Sequence, residues 1–396
     1  MIDPVYLEML SHKSVIRELS ERAAARGREI GYDNVFDFSL GNPSVPCPEA
    51  FNESCRTLLL EPDSVALHGY SPSLGIPEVK EQIAASLNRR FDMRYTKELI
   101  FPTSGAAGAI AHALRAVTCP GEEVLVLAPF FPEYIPYISA TGAAVRIVPA
   151  SPGDFQINWD ALEQAFSPGT AAILLNTPNN PSGAVYSEET LRRLSEVLRR
   201  KEREFGHPLF LISDEPYREI VFDGRPVPYT AKFYRNTLTC YSFSKSLSIP
   251  GERIGYVAVH PDCEMADYMV PVMGQISRGI GHNCPSSLMM RAMGQNCDRT
   301  ADLMVYETNM NLLYDALVRL GFTVQRPGGT FYMLPKALED DAAAFCRRAL
   351  AYDLVFVPAD SFGAPGYFRI AYCVDTDKVK RSLPVIERFV RECYGT

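Results

Sequence analysis

Between Pro4 and Gly27 apolar residues recur at helical spacing (Leu7, Leu10, Val15, Ile16, Leu19, Ala23), which predicts an amphipathic N-terminal arm ahead of the loop-like SLGNPSVPCP segment. Seven short runs follow: ELIFPTS, EEVLVLAP, AAVRIVPA, AAILLNTP, PLFLISDE, NTLTCYSFS and RIGYVAVH. They are rich in β-formers, and each of the first six ends in a polar or Gly/Pro-containing turn. Helical patterns lie between them, including Ala106 to Val117 and Ser187 to Phe205, the latter closed by Gly206. The alternation predicts an α/β fold in which a mostly parallel seven-stranded sheet is covered by helices on both faces. In such a sheet chemistry collects just beyond the carboxyl ends of the strands. After about Val270 the rhythm changes. Longer helical segments (Ala301 to Leu320, Leu338 to Tyr352, Asp375 to Cys393) flank the strand-like FYMLP and YFRIAYC, which predicts a smaller α+β domain. The expected division is residues 1–46 as arm and part of the small domain, 47–279 as the large domain, and 280–396 as the rest of the small domain.

Composition narrows the function classes. A chain of 396 residues exceeds one ordinary core of about 150 residues, so two unequal lobes are expected. Hydrophobic residues at 47% and charged residues at 22% fit a folded chain. The balance of 39 Lys plus Arg against 47 Asp plus Glu gives −8, with both signs interspersed, which argues against a nucleic-acid groove. The ten cysteines are scattered with no C-x-x-C pair, so reduced and mostly buried thiols are expected. His260 with Cys263 and His282 with Cys284 lack a second ligand pair nearby, which argues against zinc. Met1 to Leu10 has no basic n-region or continuous apolar run, and no later stretch reaches the roughly 18 apolar residues of a membrane span. A cytoplasmic protein without a membrane partner is the expectation.

Most lysines (Lys80, Lys97, Lys201, Lys378, Lys380) stand in polar sequence surroundings, but Lys245 lies in YSFSKSLSIPGERIGY, just past a strand-like run. A lysine held near a core loses its proton more easily, and its neutral amine can form a Schiff base. An ordinary loop lysine is the competing reading. Asp214 ends the run PLFLIS, also at the carboxyl end of an expected strand; a carboxylate there can pair with a pyridinium nitrogen, or simply cap a turn. Tyr217, three residues on, can donate to a ring hydroxyl. In IFPTSGAAGAIAHAL a strand leads through Ser104, Gly105, Ala106, Ala107 and Gly108 into a helix, a turn suited to phosphate or to close helix packing. Ser242 and Arg253 add a hydroxyl and a guanidinium suited to the same dianion.

Taken together, S-F-S-K with G-E-R-I-G, NNPSG at Asn179 to Gly183, SDEPY at Ser213 to Tyr217 and YFRIAY at Tyr367 to Tyr372 resemble the class I/II aminotransferases, pyridoxal-phosphate enzymes of fold type I. The resemblance runs in order from Gly41 to Arg369. It implies that Lys245 carries the cofactor, pyridoxal 5′-phosphate, as a Schiff base, that Asp214 binds the pyridine nitrogen, and that Tyr217 and Asn180 contact the ring's phenolic oxygen. Phe131, third in PFFPEY, matches the residue stacking on the ring. The phosphate falls to backbone at Gly105, Ala106 and Ala107, to Ser242 and Arg253, and to Tyr70 from the partner of a homodimer. Arg369 matches the clamp on the substrate α-carboxylate, assisted by Asn180 and backbone at Gly41. The family's small-lobe P-G-x-x-F-G turn reads here Pro358-Ala359-Asp360-Ser361-Phe362-Gly363, with Ala359 in place of the first glycine.

The same resemblance implies ping-pong transamination of an amino acid, aspartate favoured, with a 2-oxo acid such as 2-oxoglutarate. Arg278, in QISRGIGHNCPSS, falls about where the aspartate branch places a partner-chain arginine for the second carboxylate, and a solvated arginine is the alternative. Rival readings are an aminotransferase for alanine or aromatic amino acids, a C–S β-lyase of the same fold, and a non-catalytic ligand-sensing domain. The last lacks any basic DNA-binding module to serve.

Overall fold

The computed structural model describes Ile2, Leu7, Leu10 and residues 14–395. The first part of the arm expected over Pro4 to Gly27 therefore lies largely outside the described residues, and a helix runs Val15–Ile30 within them. Strand β1 (Phe36–Asp37) comes next in the chain. The seven apolar runs form β2 (Ile100–Thr103), β3 (Glu123–Leu127), β4 (Ala144–Val148), β5 (Thr170–Asn176), β6 (Phe210–Asp214), β7 (Thr237–Ser242) and β8 (Gly255–Val259). They make one seven-stranded sheet in the order β2-β8-β7-β6-β5-β3-β4. Strand β8 is antiparallel to both neighbours, and the remaining pairings are parallel.

Side-chain alternation divides this sheet between two cores. Val124, Val126, Ala172 and Leu174 enter one, whereas Leu125, Leu127, Ile173 and Leu175 enter the other. All seven residues of β5 are buried, as a central strand covered on both faces requires. Each fully buried leucine or valine contributes about 1.5–3 kcal/mol relative to exposure. The helix Gly105–Val117 covers the first face with Ala109, Ala113 and Leu114. The helix Glu188–Phe205 covers the second with Leu191, Leu194 and Leu198. Ser187 caps the latter by accepting from Thr190 N at 3.1 Å, and Gly206, at φ +75°, closes it.

The C-terminal part carries β9 (Tyr332–Met333), β10 (Leu354–Val355), β11 (Val357–Pro358) and β12 (Phe368–Ala371). An antiparallel sheet β11-β12-β9 packs with the helices Met304–Arg319, Ala342–Ala349 and Thr376–Tyr394 around Leu313, Phe345, Phe368 and Phe389. Strand β1 pairs in parallel with β10, so the segment after the N-terminal helix joins this part of the molecule. Met290, Ala292 and Met293 of the helix Ser287–Gly294 enter the first core of the large sheet.

No described helix is long and apolar enough to cross a membrane. The ten cysteines are free, but only Cys240, Cys263, Cys346 and Cys373 are buried; Cys119 and Cys393 are exposed. Burial thus follows each cysteine's place in an element and not its residue type. Among the described residues no cluster of three or more His, Cys, Asp or Glu is placed to hold a metal.

Candidate active site

The carboxyl ends of β5, β6 and β7 lie side by side, with Asp214 in register with Asn176 on one neighbour and Cys240 on the other. Ser242 ends β7, and its hydroxyl accepts from Ser244 N at 3.2 Å, capping the turn Phe243–Ser246 that carries Lys245. A cavity of about 390 Å³ opens there, lined by Lys245, Asp214, Asn180, Tyr217 and Arg369 among others.

Lys245 Nζ donates to Gly41 O at 2.7 Å and stands 5.3 Å from the Phe331 ring. Burial pulls its pKa down to about 8, and Arg253 and Arg369 push the same way while Cys373 opposes them. Gly41 itself is confined, because a Cβ there would run into the Tyr332 hydroxyl. Asp214 is 5% exposed. Its Oδ2 accepts from the Tyr134 hydroxyl at 2.5 Å, and its Oδ1 is buried with no partner. Burial raises this carboxyl to about 7, the Tyr134 hydrogen bond opposes the rise, and Glu215 adds to it.

On the facing wall Arg369, 1% exposed, donates from Nη2 to Ser39 O at 2.5 Å and from Nη1 to Asn180 Oδ1 at 3.1 Å. Its Nε has no partner, and its guanidinium lies 4.6 Å from the Tyr332 ring and 5.0 Å from the Phe362 ring. Asn180 N donates to Asn176 Oδ1 at 2.6 Å, which fixes the NNPSG loop to the end of β5. The Tyr217 hydroxyl donates to Tyr332 Oη at 3.3 Å.

A third group clusters at the start of the helix Gly105–Val117. Gly105 has φ +73°, and a Cβ on it would approach Arg253 Nη2 to 2.6 Å, so only glycine lets the guanidinium lie against this turn. Arg253 donates from Nη2 to Ser104 O at 3.3 Å and from Nη1 to Pro250 O at 3.1 Å and Ser244 Oγ at 3.4 Å. The hydroxyls of Ser242 and Ser244 lie 2.7 Å apart, and Ala106 and Ala107 line the cavity beside them. A helix N-terminus, two hydroxyls and a guanidinium together suit a multiply charged anion. Phe131 adds an apolar face to the cavity. The unpartnered Asp214 Oδ1 accepts what a protonated ring nitrogen would donate, so the residues fit a flat cationic ring with an anionic tail.

Three expected residues do not line the cavity: Gly105 is buried beside Arg253, and two others lie away from it. Tyr70 is fully exposed, and Arg278 is exposed in the last turn of the helix Ala266–Ile280; neither lines the cavity. Other residues escaped the sequence reading: Tyr134, Tyr332, Asn176, Ser244 and Arg17 all line it. Tyr134 had a signal, since it follows Phe131 by three residues, one helical turn away, in PFFPEY. Tyr332 had none, because a tyrosine in a short apolar run reads as core.

Residues 33–386 match the family model described as aminotransferase class I and II. The aspartate/prephenate aminotransferase of Thermus thermophilus is 30% identical over 357 residues, covering 89% of each chain. An aromatic-amino-acid aminotransferase of Thermococcus litoralis is 27% identical over 403 residues, covering 98% of this chain and 97% of its own. The crystal structure of an amino transferase from Eubacterium rectale, 42% identical, superposes with a TM-score of 0.96 over all of this chain and 99% of that one. With its fold, its cavity and a family match over most of its length, the chain belongs to the class I and II aminotransferases.

Proposed function

We propose that this aminotransferase binds pyridoxal 5′-phosphate and moves an amino group from an L-amino acid, aspartate favoured, to a 2-oxo acid such as 2-oxoglutarate in a ping-pong cycle. The observation that carries the reading is a single cavity holding a buried-side lysine amine, a buried carboxylate with one unpartnered oxygen, and a buried arginine with an unpartnered Nε. Names of relatives that act on aspartate support the donor preference. When bound, the cofactor supplies an electron sink that acidifies the substrate's Cα–H.

The chain's own groups do the rest. Arg369 holds the α-carboxylate, with Asn180 and Gly41 completing that end of the site. Lys245, whose pKa burial lowers to about 8, would hold the cofactor and, once freed, serve as the base that takes the Cα proton. Asp214, ionised, keeps a proton on the ring nitrogen; Tyr134 holds the carboxylate in place. Tyr217 and Asn180 would meet the ring's phenolic oxygen, and Phe131, which lines the same cavity, would offer it an apolar face. Gly105, Ala106, Ala107, Ser242 and Arg253 hold the phosphate. One site serves both halves of the cycle, releasing one 2-oxo acid before it takes the next.

The same reading includes a cytoplasmic homodimer in which Tyr70 of the partner subunit completes the phosphate site; its full exposure on the single chain supports this. It also keeps two lobes, with boundaries near 46/47 and 279/280. Lys245→Ala is expected to abolish the near-visible absorbance band of the bound cofactor and to lower turnover by on the order of 10²–10⁴-fold. A band unchanged in position and intensity contradicts the assignment of Lys245.

A further inference from the structure

Four cationic side chains line the cavity among the described residues: Arg17, Lys245, Arg253 and Arg369. They face two carboxylates, Asp214 and Glu133. Under the reading proposed above, on which this inference rests, Lys245 joins the cofactor, Arg253 meets its phosphate and Arg369 meets the substrate α-carboxylate. Arg17 is the cation left over. It is exposed, so it stands on the solvent side of the cavity, whereas Arg369 is buried at its back.

The N-terminal helix holds Arg17 there by ordinary packing. Val15, Ile16 and Leu19 pack against a cluster that includes Leu334, Val357 and Phe362, and the Phe362 ring lies 5.0 Å from the Arg369 guanidinium. One apolar cluster therefore backs both arginines, and Ser14 and Ile16 line the cavity beside Arg17. Arg17 is also the third residue of its helix, where the helix dipole disfavours a cation. Breaking a local rule at the rim of a functional cavity is what a residue kept for a ligand does.

We propose that Arg17 is a specificity-determining residue that receives the side-chain carboxylate of a dicarboxylic substrate within its own chain. A substrate held at Arg369 by its α-carboxylate extends its side chain away from that buried end toward the exposed side, where Arg17 supplies a charge-assisted hydrogen bond. Glu133 lines the same cavity and offers Arg17 a counter-charge when the side chain brings none. The exposed Arg278 is not needed for this contact.

The test compares Arg17→Gln, Arg17→Lys and Arg278→Ala with the unaltered holoenzyme, using aspartate, glutamate, alanine and phenylalanine as donors and maleate as a non-reacting dicarboxylate. Arg17→Gln is expected to lower kcat/KM for aspartate and glutamate by about 10- to 100-fold and to weaken maleate binding, followed by absorbance titration, by a similar factor. Values for alanine and phenylalanine stay within about twofold, and Arg17→Lys restores part of the loss. Equal losses for all four donors, or none, overturn the proposal. So does a dicarboxylate-selective loss in Arg278→Ala that Arg17→Gln does not share, since it hands the role to the partner subunit. An unaltered enzyme that transaminates no amino acid overturns the underlying reading as well.

Discussion

Burial pushes Asp214 and Lys245 in opposite directions toward neutrality, the carboxyl up to about 7 and the amine down to about 8. At neutral pH both groups therefore sit near the point where a proton is gained or lost. The Tyr134 hydroxyl restrains Asp214 by stabilising its ionised form, and no other described side chain donates to its carboxylate. Because ionised Asp214 is the form that pairs with a cationic ring, cofactor affinity is expected to hold above about pH 7 and to weaken as the carboxyl takes up a proton below it. Tyr134→Phe removes the restraint, so the midpoint of this loss moves to higher pH. An absorbance titration of cofactor into the two proteins across the pH range measures it, and a midpoint that stays put or falls refutes the role given to Tyr134. The placement of Lys245 at the cavity was legible from its position after a strand, but polar sequence surroundings do not set the other lysines apart from it. Lys80, Lys201 and Lys378, in polar sequence surroundings, are also buried. Two of these amines find partners while their stems pack inward: Lys201 with Glu163 and Glu204, and Lys378 with Tyr32 O at 3.2 Å. Sequence surroundings report which groups are near in the chain and not which lie across the fold.

At the scale of elements the chain separates stability from site geometry. Ser187 caps a helix that carries no residue lining the cavity, whereas Gly105 opens the helix whose Ala106 and Ala107 line it, the end proposed to hold the phosphate. Ser187→Ala is expected to cost about 1 kcal/mol of folding stability and to leave cofactor affinity alone. Gly105→Ala must strain a backbone at φ +73° and push Arg253 away, so it weakens the cofactor by about tenfold or more. Denaturant melts and cofactor titrations on both variants check this, and a Gly105→Ala protein with unaltered affinity contradicts the phosphate assignment. The seven strands of the large sheet were legible because each is a compact apolar run whose alternate residues feed two cores. Strands β9 to β12 were harder. Apart from β12, each is two residues long, and the FYMLP run yields a strand only over Tyr332–Met333. The helix Ala266–Ile280 carries Pro271 inside it and ends near Gly281, which hid the helical setting of Arg278 from a reading by pattern.

In the whole molecule, the site joins groups far apart in the chain. Lys245 reaches Gly41, Arg369 reaches Ser39 and Asn180, and β1 pairs with β10. Strand periodicity placed Asp214 at one strand's carboxyl end and Lys245 just past another's, and the sheet order makes those two strands neighbours. Nothing in the local pattern joins residues 39–41 to residues 245 and 369; the family resemblance paired only Gly41 with Arg369, and the contacts of Lys245 with Gly41 and of Arg369 with Ser39 come from the fold. The net charge of −8 argued against a nucleic-acid groove but did not foresee a cavity that, among the described residues, sets four cations against two carboxylates. Amino transfer and β-elimination use the same lysine and the same ring partner, so they part only in what leaves the site. The most direct measurement mixes the cofactor-loaded protein with aspartate in the absence of any 2-oxo acid. Transamination predicts loss of the near-visible absorbance with release of about one equivalent of 2-oxo acid per site, no ammonia, and recovery of the band on adding 2-oxoglutarate. Continued release of 2-oxo acid together with ammonia from any amino acid, or a spectrum that no amino acid alters, would contradict it.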